Sequence, residues 1–170
     1  MRRRTLVAWP VVAICAVASL SATPVAQAVP STGYLIVPGH SIGKVTIGES
    51  TGDVVAVIGP PRGRSTDAGP GWLYGSLVVV TDPTQLHVVQ LVVWTRFAGT
   101  ETEAARYATR AGIHVGSTLA AVEAAYPRAR CSLHNQGCLL VAGTGTTQFL
   151  VAKRKNELAA NSPIIEISLT

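Results

Sequence analysis

The sequence predicts an α+β fold of two tandem repeats, each a short helix packed on an antiparallel β-meander. Three observations predict it. A segment beginning at Val45 recurs 68 positions later, at Ile113. β-Branched runs bounded by turn residues follow both copies. The chain that remains after a predicted leader is long enough to bury one hydrophobic core.

The leader is residues 1–28, which we predict to be a secretory signal peptide. Three arginines follow Met1, residues 6–22 are almost wholly apolar, and Ala26-Gln27-Ala28 has the small-x-small pattern of a cleavage site. The alternative is an uncleaved membrane anchor, but the apolar run is shorter than the roughly 20 residues that a span requires. Pro10 also interrupts it. We therefore expect a secreted or cell-envelope protein without a membrane span, and Sec and twin-arginine export both stay open.

The charge of the chain is concentrated in this leader. Three of the 14 basic residues and none of the 9 acidic residues lie there, which leaves 11 basic against 9 acidic residues. The basic residues of the remaining chain do not cluster with aromatic residues. The pattern therefore excludes a nucleic-acid-binding protein.

Two cysteines remain outside the leader, Cys131 and Cys138. An even pair in an exported chain predicts a disulfide. A redox or metal-binding pair is the alternative. The spacing is wider than Cys-x-x-Cys, and His134 alone does not complete a zinc site. We expect no metal and no cofactor.

The repeat itself predicts turns, caps and helices. The matched pairs are Val45 and Ile113, Ile47 and Val115, Gly48 and Gly116, Ser50 and Thr118, Val54 and Val122, and Pro60 and Pro127. Each glycine permits a tight turn, and Ser50 and Thr118 are typical N-cap residues. Asp53 forms a capping-box-like pair with Ser50. We therefore predict helices over Thr51–Ile58 and Leu119–Tyr126, each ended by a proline.

Strands are predicted after each helix, in residues 29–104 for the first repeat with its linker and in residues 105–170 for the second. The predicted strands are Trp72–Thr81 (broken at Gly75), Gln85–Thr95, Cys138–Ala142, Thr147–Lys153 and Pro163–Leu169. The linker from Phe97 to Tyr107 contains enough helix-forming residues for one helical turn, and its acids, Glu101 and Glu103, are predicted to be solvated.

The strand Gln85–Thr95 is apolar on both sides. Alternation predicts one face with His87, Val89, Leu91 and Val93, and the other with Val88, Val92 and Trp94. A short helix covers one face of a sheet. The second face must then either meet the sheet of the other repeat or form an open binding surface.

Two stretches carry a resemblance, IGKVTIGESTGDVVAVIGP from Ile42 and GIHVGSTLAAVEAAYPRARC from Gly112. Their pattern of glycine, cap, valine and proline resembles small exported proteins of actinobacteria. It is also similar to the beta-lactamase inhibitor protein and to small outer-membrane assembly lipoproteins. The resemblance implies tandem helix-plus-sheet repeats and, for the inhibitor relatives, a concave sheet that faces an enzyme. No contact-loop motif of the inhibitors and no lipobox cysteine is present here.

The sequence shows no recognisable set of catalytic residues. The four histidines have no metal-ligand spacing, and Gly143-x-Gly145 is typical of a hairpin turn. His114 aligns with Thr46, which predicts an exposed alternating position. We predict that the protein is not an enzyme.

The candidate binding residues are Trp72, Tyr74, Trp94, Arg62 and Arg64. Aromatic residues anchor interfaces, although they anchor cores for the same reason. The arginines either meet an acidic partner or lie in a solvated loop. The resulting hypothesis is an exported, non-enzymatic binding or inhibitor-like module for an extracytoplasmic protein. A structural cell-envelope component is the alternative, and a hydrolase is less favoured.

Overall fold

The computed structural model describes residues 31–65, 69–95, 101–132, 136–151 and 159–170. The predicted signal peptide lies outside the described residues. Within them, the protein is a mixed α+β structure, as the sequence predicts, with two sheets and a few short helices.

The elements follow one another with short connections. The strands are β1 (Leu35–Val37), β2 (Ser41–Ile42), β3 (Val45–Thr46), β4 (Gly63–Ser65), β5 (Gly71–Tyr74), β6 (Leu77–Thr81), β7 (Val88–Trp94), β8 (Ala108–Thr109), β9 (Arg130–Ser132), β10 (Gly137–Ala142), β11 (Gly145–Val151) and β12 (Ile164–Leu169). The helices are α1 (Thr51–Ile58), α2 (Glu101–Ala104) and α3 (Leu119–Ala125), and a 3-10 turn precedes β1 at Thr32–Tyr34.

The large sheet has eight antiparallel strands in the order β4-β5-β6-β7-β12-β11-β10-β9. Two meanders, β4–β7 and β9–β12, meet through their last strands, where Leu91 lies opposite Leu169 and Val93 opposite Ile167. Helix α1 precedes the first meander and α3 precedes the second. The predicted strands are therefore present, with small differences at their ends.

The small sheet has the order β3-β2-β1-β8 and was not predicted. Its strands are two or three residues long, so side-chain alternation gives no usable signal. The parallel pair β1–β8 sets Ile36 beside Thr109 and joins the start of the described chain to the segment before α3.

The predicted helix caps are confirmed. The Ser50 hydroxyl accepts a hydrogen bond from the Asp53 backbone N–H (3.1 Å) and donates one to the Asp53 carboxylate (2.6 Å). The Thr118 hydroxyl accepts from the Ala121 N–H (3.3 Å). The glycines before both caps, Gly48 and Gly116, have φ of 86° and 98°, a conformation that favours glycine.

One face of the large sheet forms the main core with the helices and the small sheet. Valines of β6 and β7, Val54 of α1, Val122 of α3 and Ile36 of β1 are buried together there. Phe149 of β11 is fully buried and stacks on Tyr126, with ring centroids 5.9 Å apart. Burial of apolar surface on this face is the main source of stability.

A register irregularity corrects the predicted faces of β7. The pairing shifts between Val80, which lies opposite Gln90, and Thr81, which lies opposite Val88. The extra residue, Val89, is 44% exposed, and Val88 joins Leu91 and Val93 in the main core. Simple alternation placed Val88 on the opposite face because it does not account for such a bulge.

The second face carries a smaller apolar cluster of Val78, Val80, Val92 and Trp94, each at most 3% exposed. These side chains are buried, and β12 of the other half of the chain does not lie over them. It continues the same sheet at the edge of β7 instead. The predicted open apolar face does not describe this geometry, because the four side chains are buried. Coverage of this face by the other half of the chain stays a prediction.

The predicted disulfide is present between Cys131 and Cys138. The two residues lie directly opposite each other in the β9–β10 pair, at the edge of the large sheet. None of the helices in the described ranges is long and apolar enough to cross a membrane.

Candidate functional site

The five predicted binding residues lie in three different places. Arg62 and Tyr74 line one cavity, while Arg64 and Trp72 line a second cavity at the β4–β5 edge. Trp94 is buried in the cluster on the second face of the sheet. The structure therefore brings Arg62 and Tyr74 together and separates them from Trp94.

The first cavity, which we call the tyrosine cavity, has a volume of about 410 Å³. It lies between the β2–β3 hairpin, the end of α1, the β5–β6 turn and α2. Its lining consists of Gly33, Tyr34, Ile42, Gly43, Lys44, Val45, Val57, Ile58, Pro60, Arg62, Tyr74, Leu77, Glu103 and Tyr107. The volume lies within the range of roughly 300–1,000 Å³ typical of ligand pockets.

Tyr74 carries an unsatisfied polar group in this cavity. The residue is half-buried, and its hydroxyl is buried without a hydrogen-bond partner among the residues that the structure describes. Burial raises the pKa of the Tyr74 phenol above its ordinary value, so the group is a neutral donor. A buried hydroxyl without a partner costs about 1 to 3 kcal/mol. A ligand whose entry brings a polar group to this hydroxyl can recover part of that free energy.

Glu103 forms the wall beside Tyr74. Its carboxylate accepts a hydrogen bond from the backbone N–H of Ser76 (3.2 Å) and lies against Gly75 in the β5–β6 turn. Gly75 has φ of 68°, and a Cβ there would collide with the carboxylate. The prediction that Glu103 is a solvated linker charge is wrong, because this long-range bond holds it half-buried.

Two further tyrosines complete the aromatic wall. The rings of Tyr34 and Tyr107 meet edge to face, with centroids 5.1 Å apart, and the Arg106 guanidinium lies 4.8 Å from the Tyr34 centroid. Burial raises the pKa of Tyr107 to about 12, and the charge of nearby Glu103 adds to this shift. The Tyr107 phenol therefore stays neutral at ordinary pH.

The charges that line the tyrosine cavity are unequal. Lys44 and Arg62 are cationic and exposed, whereas Glu103 is the one acid among the described residues of the lining. Its carboxylate is already engaged by the Ser76 N–H. The accessible charge at the rim is therefore positive, which favours an anionic group on whatever enters.

The second cavity, about 390 Å³ in volume, has a different character. The Arg64 guanidinium donates to the side-chain oxygen of Gln85 (3.2 Å), so this arginine is held in place by its own chain. Trp72 lies opposite Arg64 in the β4–β5 pair, and its indole N–H is buried without a partner. The ring packs against the main core, which agrees with the prediction that Trp72 is a core residue.

His40, His87 and His114, the histidines that the structure describes, lie in no cluster of metal-ligating side chains. Within the described ranges, no three His, Cys, Asp or Glu side chains are grouped so that they could hold a metal ion. His87 is exposed beside Ser50, and a ring nitrogen of His114 lies 2.6 Å from the Val115 carbonyl oxygen. His114 is half-buried rather than exposed, because its ring folds onto that carbonyl.

Sequence reasoning missed Lys44, Glu103, Tyr34 and Tyr107 as residues of the cavity. Lys44 follows Gly43 in the first copy of the repeat, and the tyrosines flank the copies, but no spacing connects these positions. Only the packing of the small sheet against α2 and the β5–β6 turn brings them together.

Comparison of the chain with protein-family models, with curated proteins and with solved structures finds no match.

Proposed function

We propose that this chain is an exported, non-enzymatic binding module that acts on an extracytoplasmic protein partner. We further propose that it consists of two tandem repeats of a helix and a four-stranded meander. The order of elements supports this repeat, since α1 leads into β4–β7 as α3 leads into β9–β12. The strand order of the large sheet, which runs inward from both edges to β7 and β12, is also the order expected for two copies of one unit.

The observation that carries the binding proposal is the tyrosine cavity. It combines apolar walls, a cationic rim at Lys44 and Arg62, and the unpartnered hydroxyl of Tyr74. The burial of such a hydroxyl leaves a cost that a polar group of a ligand can offset. Apolar walls with a few convergent polar groups are typical of binding sites.

The extracytoplasmic location rests on two features. The first is the signal-peptide pattern of residues 1–28. The second is the disulfide between Cys131 and Cys138, since such bonds form and persist in oxidising compartments. A partner in the same space, such as another secreted or envelope protein, is therefore the expected target.

The proposal is tested by capture from native envelope and culture medium. The mature chain, residues 29–170, is immobilised, and bound proteins are identified by mass spectrometry. We compare the parent with Arg62→Glu, which reverses one charge at the cavity rim. Arg128→Glu is the matched control, because Arg128 is also exposed and follows the proline after α3 as Arg62 follows those after α1.

The expected result is a reproducible partner that the parent and Arg128→Glu retain and Arg62→Glu loses. Equal capture by all three proteins would place the interface elsewhere on the molecule. No reproducible partner from either source would refute the binding role.

A structural cell-envelope component is a second candidate, favoured by one observation. The apolar cluster of Val78, Val80, Val92 and Trp94 on the second face is buried rather than offered to solvent. A protein with all its apolar faces internal needs no partner to cover them. Binding of a dye that detects exposed apolar surface separates the two roles, since a silent surface favours the structural one.

A further inference from the structure

We propose that the tyrosine cavity receives an apolar side chain of the protein partner together with a carboxylate next to it. The apolar group enters between the tyrosines and the aliphatic wall, and the carboxylate pairs with Arg62 and Lys44. This inference rests on the proposed binding function and specifies the chemistry of the partner segment.

The apolar part of the ligand follows from the walls. Ile42, Val45 and Leu77 form the floor, and each is buried in the main core. Val57 and Ile58 of α1 form the side, and Val57 is 45% exposed although it is a large aliphatic residue. Transfer of an apolar group onto these walls is favourable at roughly 25 cal/mol per Å² of surface removed from water.

The carboxylate follows from the unequal charges. The side chains of Lys44 and Arg62 have no hydrogen bond or ion pair with other described residues, and both are exposed. Glu103, the acid nearest to them in the lining, is half-buried and bound to the Ser76 N–H. A second carboxylate, supplied by the partner, therefore meets two free cations, and arginine can bind it through two parallel hydrogen bonds.

The Tyr74 hydroxyl fixes the orientation of the bound segment. It is buried, neutral and without a partner. It can donate to a carboxylate oxygen or to a backbone carbonyl of the entering segment. Either bond adds a directional polar contact to the apolar walls, which distinguishes the site from a non-specific hydrophobic cleft.

The experiment uses three small probes on the isotopically labelled mature chain. N-Acetyl-phenylalanine carries an apolar ring and a terminal carboxylate. N-Acetyl-phenylalaninamide has the same ring but an uncharged amide in place of the carboxylate. Acetyl-aspartyl-phenylalaninamide moves the carboxylate to a side chain. Titration followed by amide chemical shifts gives both the location and the affinity of binding.

We expect at least one of the two carboxylate probes to change the backbone amide chemical shifts of Gly43, Tyr74 and Leu77. The uncharged probe, N-acetyl-phenylalaninamide, should bind about tenfold more weakly. The better carboxylate probe shows whether a chain terminus or an acidic side chain is recognised. Arg62→Glu lowers the affinity for that probe by about tenfold or more, and Tyr74→Phe lowers it by a smaller factor. Arg128→Glu leaves the affinity unchanged.

Equal binding of the acid and the uncharged amide would overturn the assignment of the carboxylate. Shifts that avoid the cavity residues would overturn the site itself. If the probes fail while a captured partner still depends on Arg62, the binding function stands and this inference falls. If the probes bind at the cavity but no partner is captured, the proposed protein-binding function is what fails.

Discussion

The backbone N–H of Ser76 donates a hydrogen bond to the carboxylate of Glu103, 3.2 Å away and 27 residues further along the chain. This bond fastens α2 to the β5–β6 turn. Because Tyr74 immediately precedes that turn and Tyr107 follows α2, it also sets the distance between two walls of the tyrosine cavity. A change at Glu103 is therefore expected to alter both stability and binding.

Glu103→Ala is expected to lower the free energy of unfolding by about 1 to 3 kcal/mol. The substitution leaves the Ser76 N–H without its acceptor, and bonds to charged groups contribute more than neutral ones. Glu103→Gln keeps an acceptor and should lose less. Urea unfolding measures both, with Glu123→Ala on the exposed side of α3 as the control, expected within about 0.5 kcal/mol of the parent. Equal losses at positions 103 and 123 would contradict the anchoring role.

The two helix caps should contribute independently to the free energy of unfolding. Ser50→Ala and Thr118→Ala each remove a hydroxyl that accepts a first-turn N–H, and each should cost about 1 kcal/mol. Ser50→Gly should cost only a few tenths, because glycine exposes the same N–H to water. Thermal and urea unfolding of the single and double variants test this. The two losses should add, since the caps lie in different halves of the chain and share no partner.

The disulfide should stabilise the edge of the large sheet. It closes a loop with a sequence separation of 7, for which loop closure predicts roughly 2 to 3 kcal/mol. Mass spectrometry of the unreduced protein should find Cys131 joined to Cys138. Substitution of both cysteines by serine should lower the unfolding midpoint by the corresponding amount, and two free thiols in the purified protein would contradict the bond.

Phe149, which lies beside the disulfide edge of the large sheet, should contribute more to the free energy of unfolding. Phe149→Ala removes a fully buried ring that stacks on Tyr126, and such truncations cost about 3 to 5 kcal/mol. Val141→Ala in the neighbouring strand is the control, because Val141 is 66% exposed and its loss should be small. Chemical denaturation of both variants decides whether the first face of the sheet forms the main core.

Features predicted from the sequence were those with local causes. The caps at Ser50 and Thr118 depend on residues three positions away, and the pairing of Cys131 with Cys138 follows from the cysteine count and a short loop. The bulge at Val89 and the small sheet were missed. They depend on long-range pairing, of β6 with β7 and of β1 with β8, that side-chain alternation does not encode.

The site was predicted only in part, for a related reason. Arg62 and Tyr74 stood out by residue type, and the structure places both on the tyrosine cavity. Glu103 was predicted to be a solvated charge because it lies in the linker between the two repeats. Its partner, Ser76, lies in another element, and only the folded chain reveals the contact.

Tyr107 should make stability depend on alkaline pH. The residue is 7% exposed, and burial raises the pKa of its phenol to about 12 from an ordinary value of 10.0. Between these values the unfolded chain releases the proton while the folded chain keeps it, so unfolding becomes easier as pH rises. The contribution is complete below pH 10 and falls by roughly 2 to 3 kcal/mol as pH rises to about 12.

The measurement is a series of rapid urea unfolding curves across this pH range, with tyrosinate absorbance followed in parallel. Tyr107→Phe removes the titrating hydroxyl, so the free energy of unfolding should fall much less as pH rises. Tyr74 and Tyr126, whose pKa values burial also raises, account for the part that remains. If the parent and Tyr107→Phe lose stability identically, Tyr107 does not retain its proton in the folded state, and the close packing of Tyr34, Glu103 and Tyr107 is contradicted.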